Sequence, residues 1–208
     1  MNPRRRGFTL VEILVVIIII GILASLTLVG VMGALRQARR SSTQNVIEQL
    51  RAACESYRVR WGDYPPTSLA EFKAKMPNDT NNGAEALCAC LSSQDRGGVL
   101  YQPPDAESYG NVDGDKAEKN ITNWYFGDNA LREFLDLYRM PITYIHHKDY
   151  VKASGPLTRY KFKPDGDETS IKPAKTEATK TYANPDKFQI FSAGQDGIPG
   201  NGDDVVGW

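Results

Sequence analysis

From Ile13 to Leu35 the chain carries 23 consecutive residues without a charge, most of them Ile, Leu and Val. A helix of that length rises about 35 Å, enough to cross a bilayer with some tilt. Beyond it the pattern changes rather than stops. Val46, Ile47, Leu50, Ala53, Cys54, Tyr57 and Trp61 recur at spacings of three and four, the mark of a helix with one apolar face. Neither proline nor glycine interrupts Ala34 to Trp61. The pattern therefore predicts one helix of about 50 residues, from Phe8 to Trp61, apolar all round over residues 8–35 and one-sided over residues 36–61. Gly62-Asp63-Tyr64-Pro65-Pro66 ends it, since glycine suits the helix end and proline cannot continue it.

Residues 62–208 read as one globular domain. Ser68 and Glu71 have the spacing of a capping box, which predicts a short helix to Met76. Asn82 to Ser92 predicts another. Residues 94–124 are rich in Gly, Pro, Asp and Asn and read as a long loop or insertion. Asp128 to Leu137 predicts a helix capped by Asp128, with Leu131, Phe134 and Leu135 on its apolar side. Ile142–His147, Leu157–Lys163 and Lys187–Ser192 are aromatic and β-branched runs bounded by turn formers, and predict three strands. The fold class is α+β: a long N-terminal helix packed on a small antiparallel sheet with short helices.

Charge then changes the picture at the N-terminus. Arg4, Arg5 and Arg6 precede the apolar run and Arg36, Arg39 and Arg40 follow it, so the positive-inside rule gives no orientation. Glu12 stands at the edge of the run, where a carboxylate carried into the bilayer costs about 2.5–3.5 kcal/mol on insertion scales. A group placed at that cost calls for a partner.

Arg4-Arg5-Arg6-Gly7-Phe8-Thr9-Leu10-Val11-Glu12 resembles the leader junction of type IV prepilins and type II secretion pseudopilins, where a basic leader ends in glycine and F-T-L-x-E follows. The resemblance implies that residues 1–7 are a leader, that prepilin peptidase cuts between Gly7 and Phe8, and that Phe8 is N-methylated. It implies that Glu12 meets the N-terminus of a neighbouring subunit during assembly. It also places the N-terminus in the cytoplasm, residues 8–35 in the bacterial inner membrane and residues 62–208 in the periplasm. Where that family has a helix-kinking proline, this chain has Val29. Of the 25 basic residues three lie in the leader, so 22 face 25 acidic ones in the processed chain, a balance that does not favour nucleic acid as partner.

The tail from Ser192 to Val205 holds Asp196, Asp203, Asp204 and four glycines. Calcium takes six to eight hard oxygen ligands, often including carbonyls that a glycine-rich loop can turn inward. The segment resembles the calcium loop of type II secretion major pseudopilins. That resemblance implies Asp196, Asp203 and Asp204 as side-chain ligands and carbonyls near Ser192 and Ile198 as the rest. Asp136-Leu137-Tyr138-Arg139-Met140-Pro141 resembles a D-P-W-G-x-P segment of the same family, without its first proline, tryptophan and glycine. Asn111–Asp115 and Asp165–Glu168 lack a full calcium-hand pattern and read as solvated turns. His146 and His147, adjacent on an expected strand, would face opposite ways and form no local metal site. In an oxidising compartment one of Cys88 and Cys90 could bridge to Cys54, leaving the other as a thiol.

No nucleophile with a histidine partner, phosphate loop or catalytic carboxylate pair is present, so an enzyme is not expected. The leading expectation is a pseudopilin of a type II secretion system, polymerising with other pseudopilins on an inner-membrane secretion platform. The alternative is a type IV pilin or minor pilin serving adhesion, motility or DNA uptake, and a third class is an anchored binding domain that never polymerises.

Overall fold

The computed structural model describes residues 8–72, 76–92, 99–117, 130–152 and 158–208. Helix α1 runs Leu10–Trp61 over 52 residues. It begins where Thr9 and Glu12 cap each other: the Thr9 hydroxyl accepts from the Glu12 amide at 3.2 Å, and the Glu12 carboxylate accepts from the Thr9 amide at 2.8 Å. It ends at Gly62, whose φ of 85° closes the last turn with a 2.8 Å bond to the Arg58 carbonyl.

The chain divides into two compact units, residues 1–39 and 40–208. In the first, the large apolar side chains of α1 from Leu10 to Leu28 and from Val31 to Leu35 are exposed. Among the described residues α1 is the one helix long and apolar enough to cross a membrane.

In the second unit the three-and-four spacing becomes a buried stripe. Ile47, Leu50, Ala53, Cys54 and Tyr57 join one core with Tyr144, Phe188 and Ile190, while Val46 and Trp61 flank it half-buried. The strands facing them form a three-stranded antiparallel sheet in the order β3 (Thr143–His146), β6 (Phe188–Ser192), β7 (Val205–Val206). Thr143 pairs with Phe191, His146 with Phe188, and Phe191 with Val206. As the central strand, β6 is buried throughout.

Helix α2 (Asn82–Ser92) packs on β3 so closely that a Cβ on Gly83 would lie 2.2 Å from the Tyr144 carbonyl oxygen and 2.4 Å from the Tyr160 hydroxyl. That hydroxyl bridges the free edge of β3, accepting from the Tyr144 amide at 3.1 Å and donating to its carbonyl at 3.0 Å. Two small pairs complete the domain: β1 (Tyr109–Gly110) with β2 (Glu133–Phe134), and β4 (Arg159–Lys161) with β5 (Glu168–Ser170).

The expected elements are corrected in four places. The second expected strand, Leu157–Lys163, pairs with β5 rather than joining the main sheet, where β7 takes its place. The helix expected after Ser68 is a single 3-10 turn, Leu69–Phe72, and Met76 lies outside it. The helix expected over Asp128–Leu137 is strand β2 followed by a turn, with Asp128 itself outside the described residues. Leu131, Glu133, Phe134 and Leu135 are all buried, so both faces of this segment are covered and its apolar spacing imitates a helix. Within the expected 94–124 loop, a 3-10 turn at Ala106–Ser108 and strand β1 are formed; residues 93–98 and 118–124 lie outside the described set.

The turn after β2 is built on Asp136. Its carboxylate accepts from the Tyr138 and Met140 amides at 2.8 and 2.9 Å and from the Ser192 hydroxyl. Arg139 there has φ of 67°, at the position where the resembled segment carries glycine.

Candidate functional site

Two regions carry the candidate chemistry. At the N-terminus Gly7 lies outside the described residues, while Phe8 is exposed and Glu12 sits on the first turn of α1. The Glu12 carboxylate takes its hydrogen bonds from Thr9, and no cation among the described residues pairs with it. Its charge is thus held at the helix start, where it complements the helix dipole, and remains available to a positive group from outside the chain.

The tail loop reverses direction through Gly194, Gly197 and Gly200, with φ of 65°, 73° and 91°. Gly194 is also sterically required, because a Cβ there would meet the Asp203 carboxylate at 2.5 Å. Each aspartate organises part of the loop. Asp203 Oδ2 accepts from the Gln195 and Asp196 amides at 2.8 and 3.3 Å, and Asp204 Oδ2 from the Gly200 amide at 2.7 Å. Asp196 accepts from the Ile198 amide at 2.7 Å and from the Asn201 side chain at 2.9 Å. The Ser192 hydroxyl accepts from the Gly194 amide at 3.1 Å.

From α1, the Arg40 guanidinium donates to the carbonyls of Gly202, Asp203 and Asp204 at 3.0–3.3 Å. The structure thus gathers Ser192, Asp196, Ile198, Asp203 and Asp204 in one loop.

A cation fits the donors this loop leaves over. Asp203 Oδ1 and Asp204 Oδ1 are buried without a hydrogen-bond partner. Burial, and then the Asp203 and Asp196 carboxylates, push the Asp204 carboxyl above its ordinary range, which a bound cation would reverse. The oxygen-only donor set suits calcium.

A second acidic group lies elsewhere. Glu85, Asp113 and Asp115 each place a carboxylate oxygen within 4.8 Å of the others. The segment 111–115 is therefore not the solvated turn expected of it: Val112 is buried and Asp113 and Asp115 are half-buried. The alternation of aspartates around Gly114 was its only local signal, since Glu85 belongs to a helix some thirty residues earlier.

The other candidates resolve differently. His146 and His147 do not face opposite ways; their rings stack with centroids 4.4 Å apart, because His147 starts a 3-10 turn and leaves the strand alternation. His146 Nε2 lies 3.2 Å from Asp63, and burial lowers its pKa. Cys54, Cys88 and Cys90 form no disulfide in the structure, and all three thiols are buried. Burial pushes the Cys54 and Cys88 thiols well above their ordinary range, which makes them inert.

Comparison with known proteins bears on the N-terminus and on most of the chain. Residues 2–28 match the prokaryotic N-terminal methylation motif. The type II secretion system core protein G of Escherichia coli strain K12 is 35% identical over 135 residues, covering 59% of this chain and 93% of that protein. Its counterpart in Klebsiella michiganensis is 28% identical over 204 residues, 98% of this chain and 93% of that protein. The type IV major pilin protein PilE1 of Neisseria gonorrhoeae is 32% identical over 79 residues, 38% of this chain and 48% of that protein. No solved structure matches.

Proposed function

Since this chain belongs to the family of type II secretion system core protein G, the major pseudopilins, we propose a route by which it is processed, anchored and assembled. It is a structural subunit of a type II protein secretion system, associated with a membrane through α1, and its family builds a pilus rather than catalysing a reaction. The shorter match to type IV pilins covers 38% of the chain and stands behind that reading.

Prepilin peptidase cleaves between Gly7 and Phe8, and the new Phe8 amino group is methylated. Residues 8–35 hold the subunit in the inner membrane, with the N-terminus cytoplasmic and residues 62–208 periplasmic. Subunits are then drawn from the secretion platform into a polymer with other pseudopilins. Glu12 supplies the negative partner for the N-terminus of the next subunit, and that pairing offsets the cost of carrying a carboxylate into the bilayer. Apolar packing of the exposed α1 side chains supplies the bulk of the attraction. In the tail, calcium is held by Asp203 and Asp204 with Asp196 and the carbonyls near Ser192 and Ile198, and supplies the positive charge that the converging carboxylates lack.

The observation that carries this reading is the methylation motif over residues 2–28, coinciding with the helix start at Thr9–Glu12 and the uncharged run behind it. Mass spectrometry of the purified subunit is expected to find methylated Phe8 at the N-terminus. Gly7→Leu should accumulate the uncut precursor, because a branched side chain crowds a site that accepts glycine. An intact Met1 in the wild-type protein would overturn the processing route.

A further inference from the structure

Glu85 lies in the first turn of α2, is 1% exposed, and keeps both carboxylate oxygens buried without a hydrogen-bond partner. Asp113 Oδ1 and Asp115 Oδ1 are buried and unpartnered as well. Their second oxygens share one donor, the Asn78 amide, at 2.7 and 3.2 Å. Four orphaned oxygens therefore belong to three acidic side chains that converge within 4.8 Å, and none of the three forms an ion pair with a lysine or arginine among the described residues.

The surrounding chain holds this arrangement in place. Asn111 accepts from the Asp115 amide at 3.0 Å, Gly114 turns at φ of 77°, and Glu133 fixes the Val112 amide at 3.1 Å while its own other oxygen is satisfied by Asn81. A buried carboxylate with neither donor nor cation is among the costliest groups a fold can contain. Burial and the neighbouring carboxylates accordingly push Glu85 well above the ordinary range and Asp115 up to about 7.

We propose that Glu85, Asp113 and Asp115 form a second cation site, distinct from the tail loop, that takes a hard divalent cation of the calcium class and clamps the 111–115 turn onto α2. Glu85 and Asp115 lie close enough to share a proton, but a single shared proton would satisfy one pair of oxygens and leave the others bare, whereas one cation serves all three side chains. The donor set is all oxygen, with neither histidine nor cysteine, which favours calcium over zinc or copper. The span fits as well, since two oxygens bound at about 2.4 Å to one ion lie at most about 4.8 Å apart.

Equilibrium dialysis of the full chain in detergent, stripped with chelator and supplied with calcium chloride, reads the number of ions per chain. The wild type is expected to hold two, and Glu85→Gln and Asp115→Asn one each. The site does not depend on the tail, so the two fail separately. One ion lost with Asp203→Asn but kept in Glu85→Gln overturns this site and leaves the tail reading standing. One ion lost with Glu85→Gln but kept in Asp203→Asn supports it and overturns the tail. Asp115→Asn, in a half-buried turn, stands in if Glu85→Gln does not fold. A wild type that binds no calcium, while Glu85→Gln melts higher at neutral pH, would identify a shared proton and overturn the proposal.

Discussion

At the scale of single residues, charge placed at a cost marks what the molecule does. Replacing Glu12 by valine removes the polar group from the apolar run without touching the domain. Membrane insertion is expected to be unchanged or improved by up to about 2.5–3.5 kcal/mol, with filament yield strongly reduced. Filaments of normal yield from Glu12→Val cells would remove its pairing role.

Asp63 shows the ordinary structural use of a charge. Burial raises its carboxyl, but hydrogen bonds from the Lys148 ammonium, the Tyr64 amide and His146 outweigh that and bring it down to about 2. The folded value lies below the unfolded one of about 3.9, so this stabilisation is complete above about pH 4 and is lost as the pH falls through 2. Because the side chain is 45% exposed, solvent screening limits the contribution to about 1 kcal/mol. Asp63→Asn should melt slightly lower than wild type at pH 7, and the gap should narrow steadily below pH 4. A gap that persists undiminished at pH 3 and below would mean that packing, not charge, sets it.

At the scale of elements, legibility followed length. The long helix could be read from spacing alone, because Ile47, Leu50, Cys54 and Tyr57 repeat one environment over about three turns. Asn82–Ser92 was legible as well, from the glycine and glutamate at its start. Strand β7 has two residues, too few to show any period, and β2 is buried on both faces by partners far along the chain. The tail aspartates stood within one loop and could be grouped from the sequence, whereas Glu85 meets Asp113 only in the fold, where α2 packs on β2 and β1, the partner of β2, leads into the 111–115 turn; α2 also crosses β3 tightly. Gly83 is the residue that permits this crossing. Gly83→Ala gains about 1 kcal/mol of helix propensity but drives a methyl into a backbone carbonyl, where overpacking costs about 1–3 kcal/mol or more. The clash should win by about 2 kcal/mol, lowering the melting temperature of the full chain by about 4–8 °C. An unchanged melting temperature would show that α2 can move away freely.

For the whole molecule, bound calcium adds stability in proportion to its occupancy. At about 100 times Kd one site contributes about 2.7 kcal/mol, a large part of a typical domain's roughly 5–15 kcal/mol. The full chain in detergent is expected to melt higher in calcium than in chelator. Replacing Asp203 and Asp204 together by asparagine should remove the tail's share of that rise, since both loop-building acceptors survive while the charge does not. A rise equal to wild type in that double variant would leave the tail as a set of turns. Arg40 adds a matter of timing. It grips carbonyls at 202–204, and Gly207 fits against Ile47 and Ile190, so this part of the helix takes some of its cover from residues made about 160 positions later. A nascent chain translated as far as Ser192 already has β3 and β6 but lacks β7 and the tail that covers this part of the helix, and translation at 5–20 residues per second leaves it waiting about one to three seconds for the rest. Until the tail docks, that stretch of helix offers an apolar surface to anything that meets the growing chain.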